Sequence, residues 1–475
     1  MEPMTTAEPT RHTVLADTDS AAYHSLRQQP ATRAERYALG KSLRKRVPRR
    51  SLADWTPPAD RPDPIGLIED NHRGRVDRLV PIRVGRMVAS PYGFLRGTAV
   101  VMAEDVAHLP ATGITPVVCG DSHLGNFGFY ASPERDLVID LNDFDEAHPG
   151  AWEWDLRRLV ASIWVAGRHN GSSEDDCGAA VRRCVAAYRH EVRRLADEPL
   201  FTRSFTRLDV DRLAGETDGP LADEVRRSAK RARHRTSDRA LPRFTEEVGG
   251  IRKIVEEPPL ITRLPGSEAD ALAEALDDYL PTLSTHWRRV LGGYTLLDVA
   301  HKVVGVGSVG LRAYVALLEG SSPEDVVFLQ LKQARRSVLA RYVHGESAWH
   351  AHQGQRVVEY QQALQTVSDP LLGWTTVDGR QFYVRQFRNM KGTIPLDAMD
   401  GTALIDYTGV VGQLLAKGHA RTSGASMIAG YLGRSDKVDR ALCTFARRYA
   451  DQTEADHAAL VAAVDNGRIP VERGV

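Results

Sequence analysis

The run Gly305-Val306-Gly307-Ser308-Val309-Gly310 restricts the possible folds most sharply, because of what stands on either side of it. Glycines at this spacing let backbone amides approach a phosphate closely. In a dinucleotide-binding unit such a run must open a helix. Here the strand-like LLDVAHKVV precedes it, and LRAYVALL, the turn EGSSPED and the strand-like DVVFLQLK follow. Short apolar runs bounded by turn residues predict strands. Residues 296–390 therefore read as a small sheet with a glycine loop between two strands, one helix at RVVEYQQALQTV and a later strand at FYVRQF.

The pattern differs on both sides of that sheet. From Trp154 to Leu291, as in WDLRRLVASIWVAG and CGAAVRRCVAAYRHEVRRLA, apolar residues recur every three or four positions, which predicts helices. Helical spacing returns from about Met399. The expected fold class is α+β, with an N-terminal arm at 1–64, a helical lobe begun at 65–295, a β-rich lobe at 296–390 and the helical lobe completed at 391–475. The arm contains KSLRKRVPRR at 41–50, where Lys41, Arg44, Lys45, Arg46, Arg49 and Arg50 are candidates for phosphate contacts, although such runs more often form a solvated face.

Sixty-two basic residues balance sixty-two acidic ones, so no global field recruits nucleic acid or an anionic membrane. The four cysteines show no CxxC spacing, which argues against a zinc site and for a reducing compartment. Without an apolar run of membrane-spanning length or a signal-peptide pattern at the start, a cytoplasmic location is expected.

Acids concentrate at 119–145. Phosphoryl transfer needs a carboxylate to orient and deprotonate the acceptor hydroxyl, and metal ligands to neutralise the phosphates. In protein kinases these are an Asp, an Asn five residues later and an Asp after the following strand. Asp121 and Asn126 of CGDSHLGN have that separation, and Asp143 of NDFD supplies the third group. FGFYASPERDLVIDL between them suits two strands joined by the turn SPERD. Asp121 is thus the expected base, and Asn126 and Asp143 the expected ligands of Mg2+, with Mn2+ as an alternative. Asp140, Asp145 and Glu146 crowd the same place, where one of them is a candidate ligand of a second metal, Asp145 first among them. His123 either assists Asp121 or satisfies the turn, and Asp155 either reaches back to the loop or merely favours its helix's first turn. Isolated Asp and Asn residues in turns usually cap their own backbone, but two spaced motifs with strands between them are harder to explain that way.

These motifs resemble the aminoglycoside phosphotransferase branch of the protein-kinase-like superfamily. The chain resembles more closely a bacterial family, domain of unknown function 2252, through RPDPIGLIE, LVPIRVGRM, SPYGFLRG, CGDSHLGNFG, SPERDLVIDLNDFDEAHPGAWEWDLRRLVAS, FLQLKQA, GQRVVEYQQALQ and YVRQFRNMKG, over about residues 35–460. The resemblance implies a two-lobed kinase-like fold and brings no substrate with it. Two departures stand out: Cys119-Gly120 precedes the Asp where His-Arg or His-Gly is usual, and Asp145 replaces the glycine of DFG.

Strand, glycine loop, strand, turn and a strand bearing lysine is the kinase order. Gly305, Gly307, Ser308 and Gly310 would then cradle ATP phosphates, Lys332 would hold them, and Glu359, or alternatively Glu346, would pair with Lys332. Asp121 precedes Lys332 by 211 positions, the reverse of ordinary kinases, so a circular permutation is expected. A competing layout uses Tyr92–Gly97 as the phosphate loop but lacks a strand-borne lysine. Arg83, Arg86 and Arg96 are unassigned candidates for binding phosphate or substrate or for pairing with the many nearby acids. The expected function is an ATP- and Mg-dependent phosphotransferase acting on a hydroxyl of a small molecule or peptide. A nucleotide-binding pseudokinase and a metal-dependent phosphohydrolase are the alternatives.

Overall fold

Strand-forming segments in the second half of the chain build one six-stranded antiparallel sheet, seen in a computed structural model that describes residues 13–14, 31–216, 219–343, 350–397, 399–422 and 424–474. Two earlier strands, β1 (Phe127–Ala131) and β2 (Leu137–Leu141), pair with each other as a hairpin outside that sheet. The sheet comprises β3 (Ile261–Arg263), β4 (Thr295–Lys302), β5 (Ala313–Glu319), β6 (Val326–Gln333), β7 (Gly373–Val377) and β8 (Arg380–Gln386). Its spatial order is β7-β8-β6-β5-β4-β3. Alternation along β5, β6 and β8 sends Tyr314, Leu329, Leu331, Phe382 and Val384 into an apolar layer with Leu272 and Leu276 of the helix Gly266–Tyr279. Lys332, on β6, faces Tyr383 across the ladder.

The expectation of helix through Leu291 fails at 245–263. Thr245–Val248 and Ile251–Ile254 form a hairpin, and β3 joins the sheet. Gly249 and Gly250, both at positive φ, make the tight turn, and the charges in TEEV and IRKI hide the two-residue alternation.

Long amphipathic segments form the second layer. Helices α1 (Trp152–His169), α2 (Glu174–Asp197), α3 (Gly401–Arg421), α4 (Ala425–Leu432) and α5 (Lys437–Asp465) enclose the largest core. Gly412 lets α3 meet α2, since a Cβ there would lie 2.3 Å from the Cys184 carbonyl oxygen. Cys177 and Cys184 are buried in α2 as apolar thiols.

The basic run at 41–50 knits the chain together. The Arg44 Nε donates to the Tyr431 carbonyl at 2.8 Å and Arg49 to that of Leu432 at 2.7 Å, so both satisfy the C-terminus of α4. Leu52 and Trp55 enter the main core. The residues between Pro64 and Ala107 form helices, and residues 387–392 cross from β8 to the β1 strand, where the Phe129 and Gly392 backbones exchange hydrogen bonds at 2.7 and 3.1 Å. Among the described residues no helix is long and apolar enough to cross a membrane.

Candidate functional site

The turn carrying Asp121 owes its shape to Gly120, at φ +79°, where a Cβ would lie 2.2 Å from the Glu146 carbonyl oxygen. Asp155, in the first turn of α1, reaches back to that turn. Its carboxylate accepts from the backbone N–H of Cys119 at 2.7 Å and of Gly120 at 2.9 Å, and lies 3.1 Å from His419 Nε2. Tyr188 extends this buried chain to His419 Nδ1 at 2.8 Å. Asp121 itself is partly open, and the Arg158 guanidinium holds its Oδ1 at 2.7 Å. The loop is rigid because its carriers are themselves buried.

The β1–β2 hairpin then returns the chain to the same place, with the turn at 132–136 as the spacing anticipated. Asn126 donates its amide to the carbonyls of Asp121 at 3.0 Å and Asp143 at 3.1 Å, which leaves Oδ1 as its acceptor. Asp143 keeps 48% of its side chain exposed. Crowding by protein and the adjacent Asp145 carboxylate nevertheless raise its pKa, against Lys332 and Arg385. Asp145 has the opposite fate. Burial would raise its pKa, but the Lys332 charge and hydrogen bonds from Lys332 and Tyr383 outweigh that and bring it down to about 2.

Across the molecule's two halves, Lys332 Nζ lies 2.7 Å from Asp145 Oδ2 and 3.6 Å from Asp143 Oδ1. Ser308 of the glycine loop donates to the same Asp145 oxygen at 3.1 Å, and the Tyr383 hydroxyl donates to Oδ1 at 2.8 Å. Burial works against the lysine's charge, but the two carboxylates raise its pKa well above the usual value. Oxygen-rich Asn126 and Asp143 fit a hard divalent cation. Asp145, with both oxygens engaged by Lys332, Ser308 and Tyr383, is a lysine partner in this arrangement. Among the described residues no three His, Cys, Asp or Glu side chains group as a metal site.

Glu359 does not meet Lys332. It accepts from Gln355 at 2.8 Å and pairs with His350 at 2.6 Å, because Lys332 turns to the acids of the opposite lobe. Glu346 lies outside the described residues. The same helix, Gln353–Leu364, positions the site through the fully buried Arg356, whose NH2 group donates to the carbonyls of Asp145 at 2.7 Å and Arg335 at 2.9 Å.

The glycine loop is anchored by its carbonyls. Arg75 donates to those of Gly307 at 2.9 Å and Val309 at 2.6 Å, Val76 N–H to that of Gly310 at 2.8 Å, and Arg86 to that of Gly305. Gly305, Gly307 and Ser308 line one cleft with Asp121, His123, Asp143, Asp145 and Glu146. Gly310 closes the loop at φ +85° outside that lining, against Arg75. His123 is buried, and that burial, with the charges of Arg96 and Arg158 against Asp121, lowers its pKa to about 3. It is a neutral imidazole whose Nδ1 has no partner. Burial also raises Glu146 to about 7 against a hydrogen bond from Val338 N–H.

Arginines form the cleft's other wall: Arg75, Arg83, Arg96, Arg335 and Arg336. Sequence reading left Arg75, Arg335, Arg336, Arg356 and Tyr383 without a role, and gave Glu146 only as one of three candidates for a second metal. The pair Arg335-Arg336, directly after the lysine-bearing strand, was the available signal. Nothing in the local pattern marks Arg75 or Arg356.

The α+β chain thus gathers carboxylates, arginines and a glycine loop around one cleft, with Lys332 buried against Asp145. Residues 75–463 match the model of the family described as an uncharacterized protein conserved in bacteria, DUF2252, and the chain belongs to that family. No curated protein and no solved structure matches it.

Proposed function

We propose that the chain is an ATP- and Mg-dependent phosphotransferase with a kinase-like, circularly permuted arrangement of two lobes. The observation that carries this reading is the 2.7 Å contact of Lys332 with Asp145, made beside Asp121 and beneath the glycine loop although these motifs lie about two hundred residues apart in reversed order. Asp121, the acids at 143–145 and the glycine loop line one cleft, and the buried Lys332 is tied to it through Asp145, which a structural role for each alone does not require.

In this reading the acceptor hydroxyl approaches Asp121, whose carboxylate Arg158 keeps oriented. The hydroxyl oxygen forms a bond to the γ-phosphorus, its proton passes to Asp121, and the bond from that phosphorus to the bridging oxygen breaks with the electron pair leaving on ADP. Lys332 offsets phosphate charge, and the glycine loop brings backbone amides close. A divalent cation, held by Asn126 and Asp143, supplies further neutralisation of the phosphates when bound. His123, neutral, serves as a hydrogen-bonding group and not as a proton carrier.

The test is incubation of the purified chain with Mg2+ and γ-labelled ATP, with and without cell extract, following the label into phosphate, protein and small molecules. Transfer that disappears in Asp121→Asn, with ATP binding retained, is the expected result. Transfer that survives this substitution removes Asp121 as the base, and tight ATP binding without turnover under every acceptor supports a regulatory nucleotide-binding module instead.

A further inference from the structure

We propose that the acceptor is a small anionic molecule whose phosphate or carboxylate group is held by Arg96 and Arg336 while its hydroxyl faces Asp121. The inference rests on the phosphotransferase reading and deepens it. The charges of the cleft do not balance once their partners are assigned. Asp121 is paired with Arg158, and Asp145 with Lys332. Arg75 and Arg83 are engaged by Asn71 and by backbone carbonyls. Arg96, Arg335 and Arg336 have no ion pair with an acid among the described residues. Asp143 lies 3.6 Å from Lys332, and Glu146 accepts from the Val338 N–H. Guanidinium charge without an acidic partner is therefore left over in the cleft.

Position separates an acceptor role from a nucleotide role. Arg96 ends the helix Pro91–Gly97, and its carbonyl oxygen lies 3.4 Å from where a Cβ on Gly307 would stand, so it sits under the tip of the glycine loop. Its charge also acts on His123, two residues from Asp121. Arg96 thus stands between the loop that would cover the phosphates and the base that would receive the acceptor's proton. Two buried polar atoms beside the cleft, Arg96 Nε and His123 Nδ1, lack partners. A polycationic acceptor such as an aminoglycoside would bring ammonium groups against these guanidiniums, which disfavours it.

Calorimetric titration of the protein saturated with Mg2+ and a non-hydrolysable ATP analogue, which fills the γ-phosphate position, tests this with three probes: glycerol 3-phosphate, glycerol and kanamycin. Glycerol 3-phosphate is expected to bind at least about tenfold tighter than the other two, and Arg96→Gln and Arg336→Gln to reduce that preference about tenfold with the analogue's affinity unchanged. Arg336 is exposed, so its substitution leaves folding intact should Arg96→Gln fail to fold. Equal binding of the three probes, preference for kanamycin, or loss of analogue affinity in place of probe affinity overturns the proposal and leaves the phosphotransferase reading standing. Failure of the analogue to bind at all removes both.

Discussion

Glu146 and Asp145 are neighbours in sequence whose carboxyls are driven in opposite directions, and the difference is one of partners. Asp145 has Lys332, while Glu146 has one backbone N–H and the cost of burial. A raised carboxyl pKa means that the folded protein holds a proton the unfolded chain has released, between the usual value of 4.5 and about 7. Stability contributed by this group falls as pH rises through that window. Glu146→Gln should therefore match the parent near pH 4.5 and exceed it above pH 7 by on the order of 2 kcal/mol, read by urea denaturation across pH. Asp155→Ala should destabilise through its hydrogen bonds. It strips the acceptor from two buried backbone N–H groups and from His419, and a loss of about 3 kcal/mol is expected in the same measurement at neutral pH.

The glycine loop shows what one element demands of its surroundings. Glycines give it freedom, and Arg75, Arg86 and Val76 take that freedom away by holding its carbonyls. A loop fixed by its carbonyls needs no ordering when phosphates bind, so the cost of binding is lowered. Arg75→Ala should raise the KM for ATP about tenfold with a smaller effect on kcat, and should accelerate amide hydrogen exchange across 305–310. Unchanged exchange in that loop would show the carbonyl contacts to be unimportant to its order. The helix Gln353–Leu364 behaves differently from its expected part: Arg356 fastens the acidic segment to the sheet, while Glu359 is occupied by His350.

At the scale of the molecule, the first and last parts of the described chain are interlaced. Arg61 bridges two buried carboxylates, lying 2.7 Å from Asp105 and 2.7 Å from Asp456 of α5, with Tyr449 adding a hydrogen bond to Asp105 at 2.7 Å. Arg61→Ala would leave both acids buried and unpaired. A loss of about 3–5 kcal/mol is expected by chemical denaturation, with partial recovery when Asp105→Asn and Asp456→Asn are added. If the triple variant is no more stable than Arg61→Ala, the network is not what joins these segments.

How much was legible follows from the range over which each signal acts. The β1–β2 hairpin, the helices of α1 and α2 and the strand–glycine loop–strand order could be read because apolar period and turn residues act over a few positions. Spacing alone likewise singled out Asp121, Asn126 and Asp143. The strand at Ile261–Arg263 was missed because three residues carry too little period. The choice of Asp145 over Glu359 as partner of Lys332, the anchoring of the glycine loop by Arg75 and the arginine wall of the cleft belong to tertiary structure. Each pairs groups from segments far apart in the chain, and Coulomb attraction and burial depend on distance in space, which local sequence does not encode. Sequence by itself determined which chemical groups the chain offers and the elements that carry them; packing decided which of them face one another, and with that the charge of the site.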